Sequence, residues 1–179
     1  MKKCLIIIDF QNDFVSGTLG FPEAVELERH IVDKIMQYRN NSDEVIFTFD
    51  THGEDYMNTQ EGCNLPIAHC LQDTDGHKLY GHVADLIQDS DKQFNKNTFG
   101  SDALYMYLKT ELFESIELVG LVSNICVISN AVLAKTAQPE TPIIVDAMCT
   151  ASNDSKLNIA ALDIMASFQI QIVNRDERT

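Results

Sequence analysis

The segment LIIIDFQNDF, Leu5 to Phe14, is an apolar run that stops on a carboxylate and then turns polar. A short β-branched run of this kind, bounded by turn residues, reads as a buried strand. Asp9 is therefore expected where a strand ends. In open parallel α/β sheets ligands bind in the crevice beyond the carboxyl ends of the strands, so an acid placed there is a candidate catalytic group. The layout recurs in EVIFTFD, Glu44 to Asp50, and in SIELVGLVSNIC, Ser115 to Cys126, where a glycine turn and a cysteine follow the apolar run. Three strand ends would bring Asp9, Asp50 and Cys126 to one edge.

Working outward, residues Pro22 to Arg39 carry Leu27, Ile31, Ile35 and Tyr38 at the period of an amphipathic helix, and Val45 to Phe49 is the next strand. Residues 51–78, rich in His, Asp, Gly and Asn, show neither period; a structureless stretch of that length inside a domain is usually functional. A short helix is expected around Gly81 to Gln88 and a strand near Lys92 to Asn95. Ser101 can cap a helix reaching Leu112, with Leu104, Leu108 and Leu112 on one face. Ile116 to Gly120 and Pro142 to Asp146 read as strands flanking a mostly apolar helix from Asn124 to about Ala137. A last helix, capped by Asn153 or Asp154 with Leu157, Ala161, Ile164 and Phe168 inward, precedes a final strand Gln169 to Val173. Alternation of this kind predicts an α/β fold, a parallel sheet covered by helices on both faces. The length of 179 residues predicts a single domain, 1–179.

The 45% apolar and 22% charged composition is that of a globular chain. The net charge of −14 and the lack of a basic cluster argue against a nucleic-acid partner, whose phosphates must be neutralised. The opening MKKCLIIIDF has too short an apolar run for a signal peptide, and nothing approaches a membrane span. A cytoplasmic location is the expectation, and five cysteines without disulfide-like regularity read as reduced thiols.

Cys126 falls at or just inside the start of a helix, where the dipole and unpaired N–H groups favour a thiolate and can cradle an oxyanion. The competing reading is a small buried hydrophobe. Lys96, in FNKNTFGS, falls at the end of a strand, where it would stabilise a nearby cysteine and aspartate, unless it is a solvated surface lysine. Asp50 and His52 are spaced to face one side of an extended segment, and Glu61 and His69 follow. Imidazole and carboxylate ligands suit zinc, iron, nickel or manganese. A structural zinc site using Cys63, Cys70 and His69 is disfavoured by the absence of CxxC pairs.

Together, Asp9 in DFQNDF, Lys96 in K-x-x-F-G-S, Cys126 in G-L-V-S-N-I-C-V and the D-x-H pair resemble the isochorismatase-like cysteine hydrolases, nicotinamidases in particular. The resemblance runs from Leu5 to Val173. It implies a six-stranded parallel sheet and a triad of Asp9, Lys96 and Cys126. In the family mechanism the acid takes the thiol proton, the cysteine attacks an amide carbonyl, ammonia leaves and water hydrolyses the thioester. The resemblance also implies a cis peptide between Leu121 and Val122 and an oxyanion hole from the N–H groups of Val122 and Cys126. It assigns a divalent metal, zinc first, to Asp50, His52 and His69, with Glu61 a further ligand in some members. Gln11, Phe14 and Phe99 would line the substrate pocket.

The expected activity is hydrolysis of nicotinamide. The chain departs from many nicotinamidases in having Ser123 and Asn124 before the cysteine and Leu65 to Ala68 where a tryptophan often stands. Two alternatives follow: a cysteine amidohydrolase for another small amide, such as an N-carbamoyl or ureido compound, or a noncatalytic binding protein on the same scaffold. A homo-oligomer is expected from the family and from the frequency of symmetric dimers.

Overall fold

Strand β1, Cys4–Ile8, lies at the centre of the sheet with every side chain buried. The computed structural model describes residues 1–175. After β1 come a one-turn helix α1, Asn12–Val15, the long α2, Pro22–Asn40, and β2, Glu44–Asp50. Then follow α3, Gln60–Asn64, α4, Gly81–Leu86, β3, Lys92–Lys96, and α5, Asp102–Thr110. The rest is β4, Ile116–Leu121, α6, Ile128–Ala137, β5, Ile143–Ala151, α7, Ser155–Ser167, and β6, Gln171–Val173.

The six strands are all parallel, in the order β3-β2-β1-β4-β5-β6. Successive side chains of a strand point to opposite faces, and β1 uses both. Leu5 and Ile7 pack with Leu27, Ile31 and Ile35 of α2 on one side. Cys4, Ile6 and Ile8 pack with Leu104 and Leu108 of α5, Ala131 and Ala134 of α6 and Leu162 and Met165 of α7 on the other. This double burial is why the first strand is a continuous apolar run rather than an alternating one.

The strand order reverses between β1 and β4, and this topological switch point is where open α/β sheets bind ligands. Two backbone features shape it. Asp9 has φ +45, a region that Asp tolerates better than most residues, so the chain turns sharply as it leaves β1. Gly120 has φ +110, and a Cβ there would lie 2.1 Å from the Ile8 carbonyl oxygen, so only glycine lets β4 run this close to β1.

Several expected boundaries and faces are corrected. Ser101 does cap α5, accepting from Leu104 N, but the helix ends at Thr110 and Leu112 lies beyond it, exposed. The helix expected from Asn124 begins with a π turn, Ser123–Val127, before α6. Strand β5 runs on to Ala151. Asp154 caps α7, but the helix buries Ala161, Leu162 and Met165, leaving Leu157, Ile164 and Phe168 exposed. The flank of α7 that meets the sheet thus lies to one side of the apolar stripe that spacing alone picked out. The stretch 51–78 contains a 3₁₀ turn, Tyr56–Asn58, and α3. No helix among the described residues is long and apolar enough to cross a membrane.

Candidate active site and metal centre

Asp9, Asp50 and Lys96 lie at or just past the ends of β1, β2 and β3, and Cys126 lies in the π turn after β4. Adjacent strands in register make these ends converge. Lys96 is the hub. Its buried ammonium lies 2.6 Å from Asp9 Oδ2, 3.4 Å from Asp50 Oδ1 and 3.6 Å from Cys126 Sγ, and it donates to the Thr98 carbonyl at 2.9 Å. The solvated-lysine reading does not describe this residue.

Asp9 is fully buried. Thr48, paired with Ile8 across β1 and β2, donates its hydroxyl to Asp9 Oδ1 at 2.6 Å. Burial pushes the Asp9 carboxyl up from the usual aspartate range, while Lys96 pulls it down and Asp50 pushes it further up. Burial, and then the charge of Asp9, also push the Cys126 thiol well above its ordinary value, against which Lys96 acts. This corrects the expectation of a thiolate favoured by a helix terminus. Burial beside two carboxylates disfavours the anion at Cys126 more than the Lys96 ammonium favours it.

Beyond Lys96 lies a second cluster. His52 Nε2 is 3.0 Å and His69 Nε2 3.3 Å from Asp50 Oδ2, and Glu61 Oε1 is 3.9 Å and 3.7 Å from the same two nitrogens. One ligand atom from each of Asp50, His52, Glu61 and His69 lies within 4.8 Å of all the others. A tetrahedral zinc with bonds of about 2.1 Å sets its ligands about 3.4 Å apart, so the four donors fit a divalent cation with small adjustments. His69 Nδ1 donates to the Ile67 carbonyl at 2.8 Å, which turns Nε2 toward the cluster. The ring of Tyr56 packs against both imidazoles, with centroids 4.7 Å from His52 and 5.0 Å from His69. Although burial pushes the Asp50 carboxyl up, hydrogen bonds from His52 and His69 and the charge of Lys96 hold it well below the usual range, so it is a carboxylate.

The three expected pocket residues fare differently. Phe14 is buried with its ring 5.4 Å from that of His69. Phe99 is 45% exposed and, with Glu61, Leu65, Thr98 and Ile125, lines a cavity of about 420 Å³ beside the two clusters. Gln11 is fully buried and has no group to offer a substrate. Its Nε2 donates to the carbonyls of Asp50 and His77, and its Oε1 accepts from Asp50 N, so it clamps the backbone that carries the shared carboxylate.

Reading the sequence missed Thr48 and Asn130. Asn130 is fully buried; its Nδ2 donates to the carbonyls of Cys126 and Phe99, and its Oδ1 accepts from Ser101 N. It ties the cysteine turn to the segment after β3. The available signal was a polar side chain inside a largely apolar stretch: Thr48 between Phe47 and Phe49, and Asn130 within ICVISNAVLA. The peptide between Leu121 and Val122 is cis, and the N–H groups of Ile125 and Val127 both bond the Val122 carbonyl.

Over residues 3–176 the chain matches the family described as the isochorismatase domain. An uncharacterized isochorismatase family protein PncA of Bacillus subtilis (strain 168) is 31% identical over 144 residues, 74% of this chain and 78% of that protein. The crystal structure of nicotinamidase/pyrazinamidase PncA from Bacillus subtilis aligns with a TM-score of 0.85 at 28% identity, over 96% of this chain and 99% of that one. The pyrazinamidase of Pyrococcus horikoshii in complex with zinc aligns with a TM-score of 0.84 at 20% identity, over 97% and 99%. The chain therefore belongs to the isochorismatase domain family and is a hydrolase of that family.

Proposed function

We propose that this protein is a metal-assisted amidase that hydrolyses nicotinamide to nicotinate and ammonia through a thioester on Cys126. The observation that carries the reading is the position of Lys96, 2.6 Å from Asp9 and 3.6 Å from Cys126, with Asp50 joining it to the four-donor cluster. The family match over residues 3–176 supports treating the chain as one domain.

Asp9 is the base. It takes the proton of the Cys126 thiol as sulfur attacks the amide carbonyl, and the Lys96 ammonium offsets the anion formed in the buried site. The N–H groups of Val122 and Cys126 hold the oxyanion of the tetrahedral species. Asp9 then gives its proton to the amide nitrogen as the carbon–nitrogen bond breaks and ammonia leaves. Water next attacks the thioester and yields its proton to Asp9; as the carbon–sulfur bond breaks, that proton returns to sulfur, giving the carboxylic acid and the starting thiol. The raised proton affinity of Asp9 suits a group that must both accept and donate within one cycle.

Asp50, His52, Glu61 and His69 would hold zinc, with iron, manganese or nickel also matching the donor set, and the ion would supply a Lewis acid for a ring nitrogen of the substrate. Phe14 and Phe99 supply apolar contact area. A nonbasic, small and cytoplasmic enzyme acting on a neutral amide agrees with the acidic charge of the chain.

A second reading, hydrolysis of an N-carbamoyl or ureido compound, is favoured by the mouth of the site, where Leu65 and Ile125 stand beside Phe99 and no tryptophan is present. Ammonia release from nicotinamide by zinc-loaded protein, with Cys126→Ala as control, separates the two. Turnover lost in the variant supports the nicotinamidase reading. Absence of turnover at full zinc occupancy sinks it, and N-carbamoyl and ureido amides are then the substrates to try.

A further inference from the structure

Gln11, Asp13 and Phe14 leave the end of β1 in one short turn and reach the segments that carry Asp50, His52 and His69. Gln11 brackets the backbone of Asp50, accepting from its N–H at 2.8 Å and donating to its carbonyl at 2.9 Å. Phe14 sets its ring 5.4 Å from that of His69. Asp13 acts between them. Its Oδ2 accepts the N–H of Cys70, the residue after His69, at 2.7 Å. The carbonyl of the same Cys70 accepts from His52 N at 3.0 Å, so this one residue is tied to the carboxylate on one side and to the backbone of a second imidazole on the other. Cys70 has φ +46, a left-handed conformation that a residue with a Cβ keeps only where its surroundings fix it.

We infer that Asp13 is the positioning residue of the candidate metal centre: by holding Cys70 it sets His69 and His52 against Asp50. Residues 65–80 form neither helix nor strand, so bonds to the turn fix their path. Asn12 N donates to the Lys78 carbonyl and Asp13 N to the Gly76 carbonyl. Gly76 shows how tightly the carboxylate is seated. A Cβ there would lie 2.1 Å from Asp13 Oδ2, the oxygen that accepts from Cys70, so glycine leaves the room that the carboxylate fills. Groups that orient ligands without touching the metal typically contribute about 10- to 100-fold to metal affinity. Asp13 works one peptide further out, through the backbone next to His69 rather than through a ring nitrogen.

The inference rests on the reading of Asp50, His52, Glu61 and His69 as metal ligands. Zinc affinity, measured on folded protein by competition with a chromophoric chelator, should fall about tenfold or more in Asp13→Ala. Asp13→Asn keeps an oxygen for the Cys70 N–H and should bind zinc more tightly than Asp13→Ala. Gly76→Ala, which crowds the carboxylate away from Cys70, should weaken zinc as well. Cobalt in place of zinc gives visible bands that report the arrangement of the donors. These should change in Asp13→Ala and Gly76→Ala and return in Asp13→Asn.

A folded Asp13→Ala protein with the zinc affinity and cobalt bands of wild type would overturn the proposal even if its urea midpoint fell, because a purely structural role moves only the midpoint. Should Asp13→Ala not fold, wild-type affinity and bands in Gly76→Ala overturn it instead. The ligand reading fails separately: zinc bound as tightly by His52→Ala and His69→Ala as by wild type removes the ligand set, and this inference with it.

Discussion

The ammonium of Lys96 stands 3.4 Å from Asp50 Oδ1, while the other oxygen of that carboxylate is 3.0 Å from His52 and 3.3 Å from His69. One carboxylate therefore borders both the surroundings of Cys126 and the cluster of four candidate metal ligands. The positive charge of Lys96 is shared by Asp9 and Asp50, both buried, and the Lys96 ammonium is in turn held in its charged form chiefly by those two carboxylates against the effect of burial.

Lys96→Met should consequently cost stability as well as activity. Removing one partner of a buried charge cluster strands the others and costs about 3 to 5 kcal/mol. Urea denaturation of the metal-free variant measures it. A midpoint equal to wild type would show that the lysine does not compensate the two carboxylates.

Cys126→Ala should abolish amide hydrolysis, by about a thousandfold or more, since removing the nucleophile of a cooperating set eliminates most of its effect. Melting temperature and circular dichroism should stay near wild type. Substantial residual turnover would rule out a thioester on Cys126.

Zinc should raise the thermal stability of the wild-type protein, because a ligand bound only by the folded state adds about 2.7 kcal/mol at a hundred times its Kd. His52→Ala and His69→Ala should lose that increment and bind less metal by elemental analysis. Equal stabilisation of both variants would place the ion elsewhere.

The acid limb of kcat/KM should lie above the ordinary aspartate value. In the proposed mechanism Asp9 is the base, its proton affinity is raised chiefly by burial, and activity should therefore grow as pH rises through that raised value. A pH profile taken at constant metal occupancy, within the range where the fold is intact, tests it. A limb at or below the value of a free aspartate contradicts the role given to Asp9.

Gly120→Ala should destabilise the protein by about 2 to 3 kcal/mol, the range for overpacking a tight site. The new methyl group would meet the Ile8 carbonyl oxygen at 2.1 Å. Chemical denaturation reads the loss directly, and a neutral outcome would mean that β1 and β4 can separate without cost.

Much of this architecture was legible in local pattern. A fully buried parallel strand must be apolar on both sides, so LIIID and EVIFTFD announce their strands and the acids at their ends. The helix Pro22–Asn40 shows its face through Leu27, Ile31, Ile35 and Tyr38, because it packs on the sheet along a single stripe. Helix α7 was misread for the complementary reason. With a second apolar stripe on its surface, spacing cannot tell which one meets the sheet.

Sequence by itself determined the order of the strands and of helices α2 and α4 to α7, the acid at each of the first two strand ends, and the set of residues able to bind metal or act as nucleophile. Those properties follow from side-chain chemistry and from periods of two and 3.6 residues, which are local. Only the tertiary structure decided that Lys96 unites Asp9, Asp50 and Cys126, that Gln11 clamps the backbone of Asp50, that Asn130 holds the cysteine turn, and that burial pushes the Cys126 thiol up. Each depends on atoms brought together from distant parts of the chain, and on the exclusion of water that gives buried charges their mutual influence.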